Sequence, residues 1–202
     1  MKITTTAAAG LLLLSAASVQ SEALPFLEAT SPYSATRVIE TSEGNFEQKV
    51  YWTFDKVRTE TLIEGVTLTN IVRDDLGLMW ISNPVLGRCL EQTVDVMDNM
   101  TQLGGQYAAD AVEYAEVGPE TIDGIDAMKW EVSAEDPEVG PHKAYFWVTE
   151  EKILVRMEMD PIGEEENIDF TMRLENLVLG DQDAELFESP GECINVSELG
   201  GS

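Results

Sequence analysis

The sequence predicts a mainly β fold, an antiparallel sheet or barrel of about ten short strands. Three observations predict it. In "FEQKVYWTF", Phe46, Val50, Trp52 and Phe54 share one parity while Glu47, Lys49, Tyr51 and Thr53 take the other, the period-2 signature of a half-buried strand. Turn signals such as "SEGN" and "DDLG" (74–77) recur between such segments. Residues 143–160, "KAYFWVTEEKILVRMEMD", read as two strands turning at Glu150 and Glu151. On the second of these, Ile153, Val155, Met157 and Met159 fall on one face and Leu154, Arg156, Glu158 and Asp160 on the other.

The first element is not part of the fold. Residues 1–23 carry Lys2, an apolar run from Ala7 to Ala17, and Ser21 and Ala23 at the −3 and −1 positions of a cut after Ala23. That layout predicts a secretory signal peptide, with an apolar core too short to span a bilayer comfortably. No cysteine lies near the cut, which excludes a lipoprotein anchor there. The expected product is an exported, periplasmic single domain over 24–202, large enough at roughly 180 residues for a substantial core. No stable membrane insertion is expected of it.

"LPFLEAT" (24–30) reads as a short helix. "YSATRVIET", "FEQKVYWTF", "VRTETLIE", "VTLTNIVRD", "LMWIS" and "GRCLEQT" follow as strands. "TVDVMDNMTQLGG" then breaks the rhythm: Thr93 is a plausible N-cap, Asp95 sits in the first turn, and Gly104 and Gly105 stop the helix. Val96, Met100 and Leu103 share one face with Met97 beside them, a stripe that must lie on the sheet. Strands resume with "AVEYAEVG", "DAMKWEVSA", the 143–160 hairpin and "NIDFTMRLENLVL". "GEEEN" (163–167) reads as a solvated hairpin tip and "DQDAE" as a charged turn before the final strand.

The chain carries 38 acidic and 12 basic residues, a net charge of −26. Losing residues 1–23 removes Lys2 and Glu22 and leaves that charge unchanged. Such a surface repels nucleic acid and anionic membranes. The acids are spread along the chain, so solvation is the simplest reading and bound cations the sharper alternative. Asp181, Asp183 and Glu185 match part of a calcium loop but lack its glycine and distal glutamate, so no metal site is assigned. Cys89 and Cys193 form an even pair, which predicts a disulfide in an exported chain; two separate buried thiols are the alternative. His142 is the only histidine, in a "GPHK" turn, and no nucleophile elbow, phosphate loop or zinc motif is present. The chain is therefore not read as an enzyme, and no cofactor is assigned.

Five stretches in order, "YSATRVIE", "VYWTFDKVRTE", "GPETIDGIDAMKWEV", "YFWVTEEKILVRMEM" and "FTMRLENLVLGDQDAELFESPGE", resemble exported bacterial proteins of the LolA-like, outer-membrane lipoprotein carrier superfamily. The resemblance spans Tyr33 to Cys193 and is most specific at Arg58 with Glu60, the Glu120–Gly124 turn and "LFESP". It implies an incompletely closed antiparallel β-barrel with a helix or helices over its concave face, in a cell-envelope module of an uncharacterised branch. No long N-terminal helix and no carrier-specific arginine are recognisable, so the chain is not read as the carrier itself. The expected function is non-catalytic binding of a lipid or acyl chain. The lining is expected from Phe46, Val50, Trp52, Phe54, Met97, Met100, Met128, Trp130, Met157, Met159, Phe170 and Met172, with methionines able to reshape around a ligand. The alternative is a ligand-free scaffold that binds another envelope protein through its acidic outer surface.

Overall fold

A computed structural model describes residues 24, 26–41, 44–85, 87–94, 112–136, 140–159 and 170–199. Their centre is one 12-stranded sheet, open at both ends. Chain order gives β1 (Tyr33–Thr41), β2 (Gly44–Trp52), β3 (Lys56–Ile63), β4 (Val66–Arg73), β5 (Leu78–Asn83) and β6 (Arg88–Thr93). Then come β7 (Val112–Ile122), β8 (Ile125–Asp136), β9 (Gly140–Val148), β10 (Leu154–Met159), β11 (Phe170–Leu179) and β12 (Cys193–Asn195). In space they run β12-β6-β5-β4-β3-β2-β1-β11-β10-β9-β8-β7. All neighbours are antiparallel except β12 with β6, which is parallel. The sheet is an open half-barrel.

Hairpin turns set the register. Glu64–Gly65 and Asp123–Gly124 both hold two successive residues at positive φ (51° and 82°; 51° and 85°), the geometry of tight hairpin turns matched to strand twist. Between β9 and β10 the Lys152 N–H bonds the Thr149 carbonyl at 3.0 Å, and the Thr149 N–H bonds the Ile153 carbonyl at 3.0 Å. A bulge where β10 begins breaks the alternation read for that strand. Leu154 pairs with Val148 but Arg156 with Trp147, so Ile153, Leu154 and Val155 are all buried.

Residues paired across antiparallel strands share a face, and the registers therefore trace two cores. One face, here the inner face, carries Tyr33, Ala35, Val50, Leu174, Met172, Met157, Phe146 and Val148, which form the larger core. On β3–β6 the second core lies on the opposite face: Tyr51 is opposite Arg58, Arg58 opposite Ile71, and Ile71 opposite Trp80. The strap 181–195 covers it. Its 3-10 turn Ala184–Phe187 buries Phe187 against Ile71, Trp80 and Cys89. Arg58 Nη1 donates to the Leu186 carbonyl at 2.9 Å and Arg73 Nη1 to the Phe187 carbonyl at 3.1 Å. Arg58 also bonds Glu60 through Nε at 2.8 Å, so two of the motifs most specific to the resemblance touch each other.

The Cys89–Cys193 disulfide forms, with Cα atoms 4.3 Å apart across 104 positions. It fastens β12 to β6 at an end of the sheet. Two expectations are corrected. "LPFLEAT" makes a single turn, Leu27 N–H to the Leu24 carbonyl at 2.8 Å, because seven residues are too few to nucleate a helix and the apolar ones are held by the core. Thr93 ends β6, and its neighbour Val94 N–H bonds the Gly77 carbonyl at 3.1 Å. His142 belongs to the backbone of β9, not to a turn. The rest of the expected 93–103 helix, and the 163–167 tip, lie outside the described residues, as do residues 1–23.

Candidate ligand-binding cleft

Alternation along β8 puts Met128, Trp130 and Val132 on the inner face. β9 sets Val148 opposite Met128, Phe146 opposite Trp130 and Ala144 opposite Val132. Tyr114 of β7 lies opposite Val132 on the other side. Into this corner the segment before β1 inserts Phe26. Its ring stacks on Trp130 (4.5 Å between centroids, 7° between planes) and meets the edges of Tyr114 at 5.3 Å and Phe146 at 6.3 Å. The segment is held at its far end, where the Thr30 N–H bonds the Glu151 carbonyl at 2.8 Å. Leu24, Leu27 and Ala29 pack on the same core.

Beside Phe26 an open cleft of about 320 Å³ remains, lined by Phe26, Tyr114, Met128, Trp130 and Val148, with Thr149 and Lys152 of the β9–β10 turn adding polar groups. Its volume sits at the low end of the ~300–1,000 Å³ typical of small-molecule sites. The chemistry is that of hydrophobic capture.

A shielded cation stands on the inner face away from the cleft. Arg37 of β1 faces Gln48 of β2 and Leu174 of β11. Protein packs closely round its guanidinium although part of the residue still meets solvent, and its shielded Nε has no hydrogen-bond partner. Burial pulls the guanidinium below its usual range, with Tyr33 opposing weakly, and burial likewise raises the Tyr33 hydroxyl.

The structure distributes the expected lining residues unevenly. Met128 and Trp130 line the cleft. Val50, Met157 and Met172 share the inner face but are packed solid in the core. Trp52, Met159 and Phe170 are half-buried against it. Phe46 is 46% exposed, and Phe54, lying beyond the end of β2, is 62% exposed with its ring edge on Trp52. Met97 and Met100 lie outside the described residues. Reading the sequence missed Phe26, Tyr114 and Val148. Tyr114 and Val148 were within reach of the β-parity signal; Phe26 was not, because no periodicity marks a segment that packs irregularly.

No protein-family model matches the chain, and no characterised protein matches it by sequence. Solved structures do match by fold. An uncharacterised conserved protein from Thermus thermophilus aligns at TM-score 0.56 and 13% identity, over 83% of this chain and 90% of that one. MucB of Pseudomonas aeruginosa, solved in complex with MucA, aligns at TM-score 0.55 and 14% identity, over 81% of this chain and 57% of that one. The chain thus spans little more than half the length of MucB. A LolA superfamily protein from Nitrosomonas europaea aligns at TM-score 0.37 and 10% identity, over 85% of this chain and 94% of that one.

Proposed function

We propose that the protein is an exported, periplasmic, non-catalytic module that binds a lipid or acyl chain. The observation that carries this reading is the apolar cleft between Phe26, Trp130 and Met128 on the inner face of an open half-barrel. Magnitudes limit what the cleft can do alone. Burying ten methylenes at about 0.8 kcal/mol each gives about 8 kcal/mol, the micromolar level before ordering costs are subtracted. Export follows the signal-peptide layout of residues 1–23, and no helix among the described residues is long and apolar enough to cross a membrane. Native mass spectrometry of protein purified from its own envelope should show co-purifying lipid, and delipidated protein should bind a fluorescent fatty acid. A clean apo mass with no displaceable fluorescence would end the reading.

A second reading has its own observation. β7 is the last strand of the sheet, so one of its edges is unpaired among the described residues, and it presents the half-exposed Tyr114 and Val117. An extended segment of an envelope protein would add there as a further strand. In-cell cross-linking from an introduced photoreactive residue at Val117 tests it; a partner absent with that probe and present with one on β2 would count against it.

A further inference from the structure

The turn between β9 and β10, made of Thr149, Glu150, Glu151 and Lys152, sorts its side chains between the cleft and solvent. Thr149 and Lys152 line the cleft, and Glu150 and Glu151 do not. The chain has 38 acids, yet among the described residues no carboxylate lines the cleft, and its one charged wall residue is Lys152. Thr149 is the one buried polar residue among the described residues, at 8% exposed. Its Oγ1 accepts the Ile153 N–H at 3.3 Å, and its own O–H meets no acceptor among them. A buried hydroxyl with an idle proton is unfavourable until an acceptor reaches it.

Lys152 carries a second mark. Its φ is 60°, in the left-handed region, and it closes the turn in a conformation that glycine adopts most easily. Its N–H bonds the Thr149 carbonyl at 3.0 Å, a bond that a glycine would also make. The lysine side chain is therefore not needed to form the turn, and it strains the backbone. Strain alone marks no site, since Glu64, Asp123 and Asn176 are left-handed too. None of those residues lines the cleft, whereas Lys152 does. Strain that persists beside a cleft points to a role in the site.

We infer that the Thr149 hydroxyl and the Lys152 ammonium receive the anionic oxygen head of an amphiphile, a carboxylate or a phosphate, whose tail lies on Met128, Trp130 and Phe26. All of these residues border the same cleft, so head and tail share one space and no part of the ligand enters the packed core. The inference rests on the acyl-chain reading above and adds the class of head group. An ammonium and a hydroxyl proton together suit a head that only accepts hydrogen bonds, whereas a neutral alcohol can use the hydroxyl alone. The −26 charge repels anions at long range, so a cation at the cleft decides locally whether one is admitted.

The test compares laurate, dodecyl phosphate and dodecanol, below their micellar concentrations, on delipidated protein purified from its own envelope. Displacement of a neutral fluorescent lipid probe is the readout. Laurate or dodecyl phosphate should bind about tenfold tighter than dodecanol at low salt, as a charge-assisted contact requires. Lys152→Met should remove that gap, Lys152→Arg should keep most of it, and Thr149→Val should narrow it. Lys152→Gly should lose the gap and yet raise the melting temperature of the ligand-free protein by about 2–4 °C, because the left-handed strain is released. A lysine kept only for the fold would not give that pair of changes. Laurate against dodecyl phosphate tells which head group is preferred. Equal binding of all three compounds by the unmodified protein overturns the head-group assignment and leaves the acyl-chain reading standing. A gap that survives in Lys152→Met or Lys152→Gly overturns it too. Binding of none of the three removes the acyl-chain reading itself. If Thr149→Val does not fold, the lysine variants decide.

Discussion

Phe26 is the residue on which the cleft turns. It is almost fully buried, stacks on Trp130, and belongs to no regular element. Truncation to alanine removes a buried ring, which in a core costs about 3–5 kcal/mol; near a chain end that can readjust, about 2–3 kcal/mol is expected. Phe26→Ala should therefore lower the melting temperature and, because the ring borders the cleft, raise affinity for an apolar probe. Lower stability with unchanged probe binding would show that Phe26 is only core. Two acids in the turn after β4 make a second prediction. Arg73 grips Asp75 through both guanidinium edges, Nε to Oδ1 at 2.7 Å and Nη2 to Oδ2 at 2.6 Å, and this hydrogen bonding holds the Asp75 carboxyl below its usual range. Burial, then Asp55 and Asp75, push the neighbouring Asp74 carboxyl up, and its Oδ1 is buried without a partner. The signs are opposite. Asp75 stabilises fully above the ordinary carboxylate range, and that contribution is lost as pH falls through its depressed folded pKa. Asp74 destabilises when ionised, so its penalty is relieved as pH falls through its raised pKa. At pH 7, Asp75→Asn should cost about 0.5–1 kcal/mol and Asp74→Asn should gain about 0.5 kcal/mol. The Asp74 difference should vanish toward about pH 3, where that carboxyl is protonated in the folded and unfolded chain alike. The Asp75 difference should shrink there and vanish only below its depressed folded pKa. Urea midpoints at pH 7 and pH 3 check this; shifts of the same sign at pH 7 would contradict it. Of these residues only the cleft's β8 pair, Met128 and Trp130, was legible beforehand, because period-2 alternation reports which face a residue takes and not how far that face is filled.

At the scale of elements, the strap 181–195 is the clearest case of one segment holding another. It has no strand partner until β12, yet Phe187, two arginine-to-carbonyl bonds and the disulfide all anchor it over β3–β6. Closing a loop of 104 positions gives at most about 4.7 kcal/mol in the chain-entropy view, and less is often realised. Reductant should therefore lower the melting temperature while the far-ultraviolet circular dichroism of the folded protein stays nearly unchanged, since most strands pair without it. Denatured, unreduced protein should show no titratable thiol. Phe187→Ala should cost about 3–5 kcal/mol, and combining it with reduction should free the strap to proteolysis. Resistance of the strap after both changes would mean that the arginine bonds alone suffice. The strands themselves were readable in order from alternation and turn signals, and the even cysteine count pointed to the bond. The parallel pairing of β12 with β6 was not readable, because two segments 104 positions apart carry no local signal of their register. Nor was the second core. Alternation shows that a strand has two faces, but in β3–β6 Val57, Leu68 and Val72 occupy one parity and Ile71 and Trp80 the other, so composition does not choose between them.

Across the whole molecule, charge and core are kept apart. The outer face of β8–β10 shows how. Trp147, only 3% exposed, donates Nε1–H to Glu120 at 2.7 Å, with Lys129 4.5 Å and Arg156 5.4 Å from its ring. Scarce cations thus shelter an aromatic ring and pair with nearby acids at the same time. With 12 basic residues against 38 acids, most carboxylates still have no cation to meet. Folding brings them closer than they stand in the extended chain, so self-repulsion opposes the folded state. Salt screens that repulsion over a Debye length that shortens from about 30 Å at 0.01 M to about 3 Å at 1 M. The melting temperature should therefore rise with sodium chloride by several degrees, most steeply below about 0.2 M, where screening first reaches the spacing between surface charges. Potassium chloride should match sodium chloride at equal ionic strength. A large excess stabilisation by millimolar calcium, beyond its ionic strength, would instead reveal cation sites among the acids. A melting temperature that is flat in salt would mean that repulsion among these carboxylates is as strong in the unfolded chain as in the folded one, and that the acidity has no net effect on the fold.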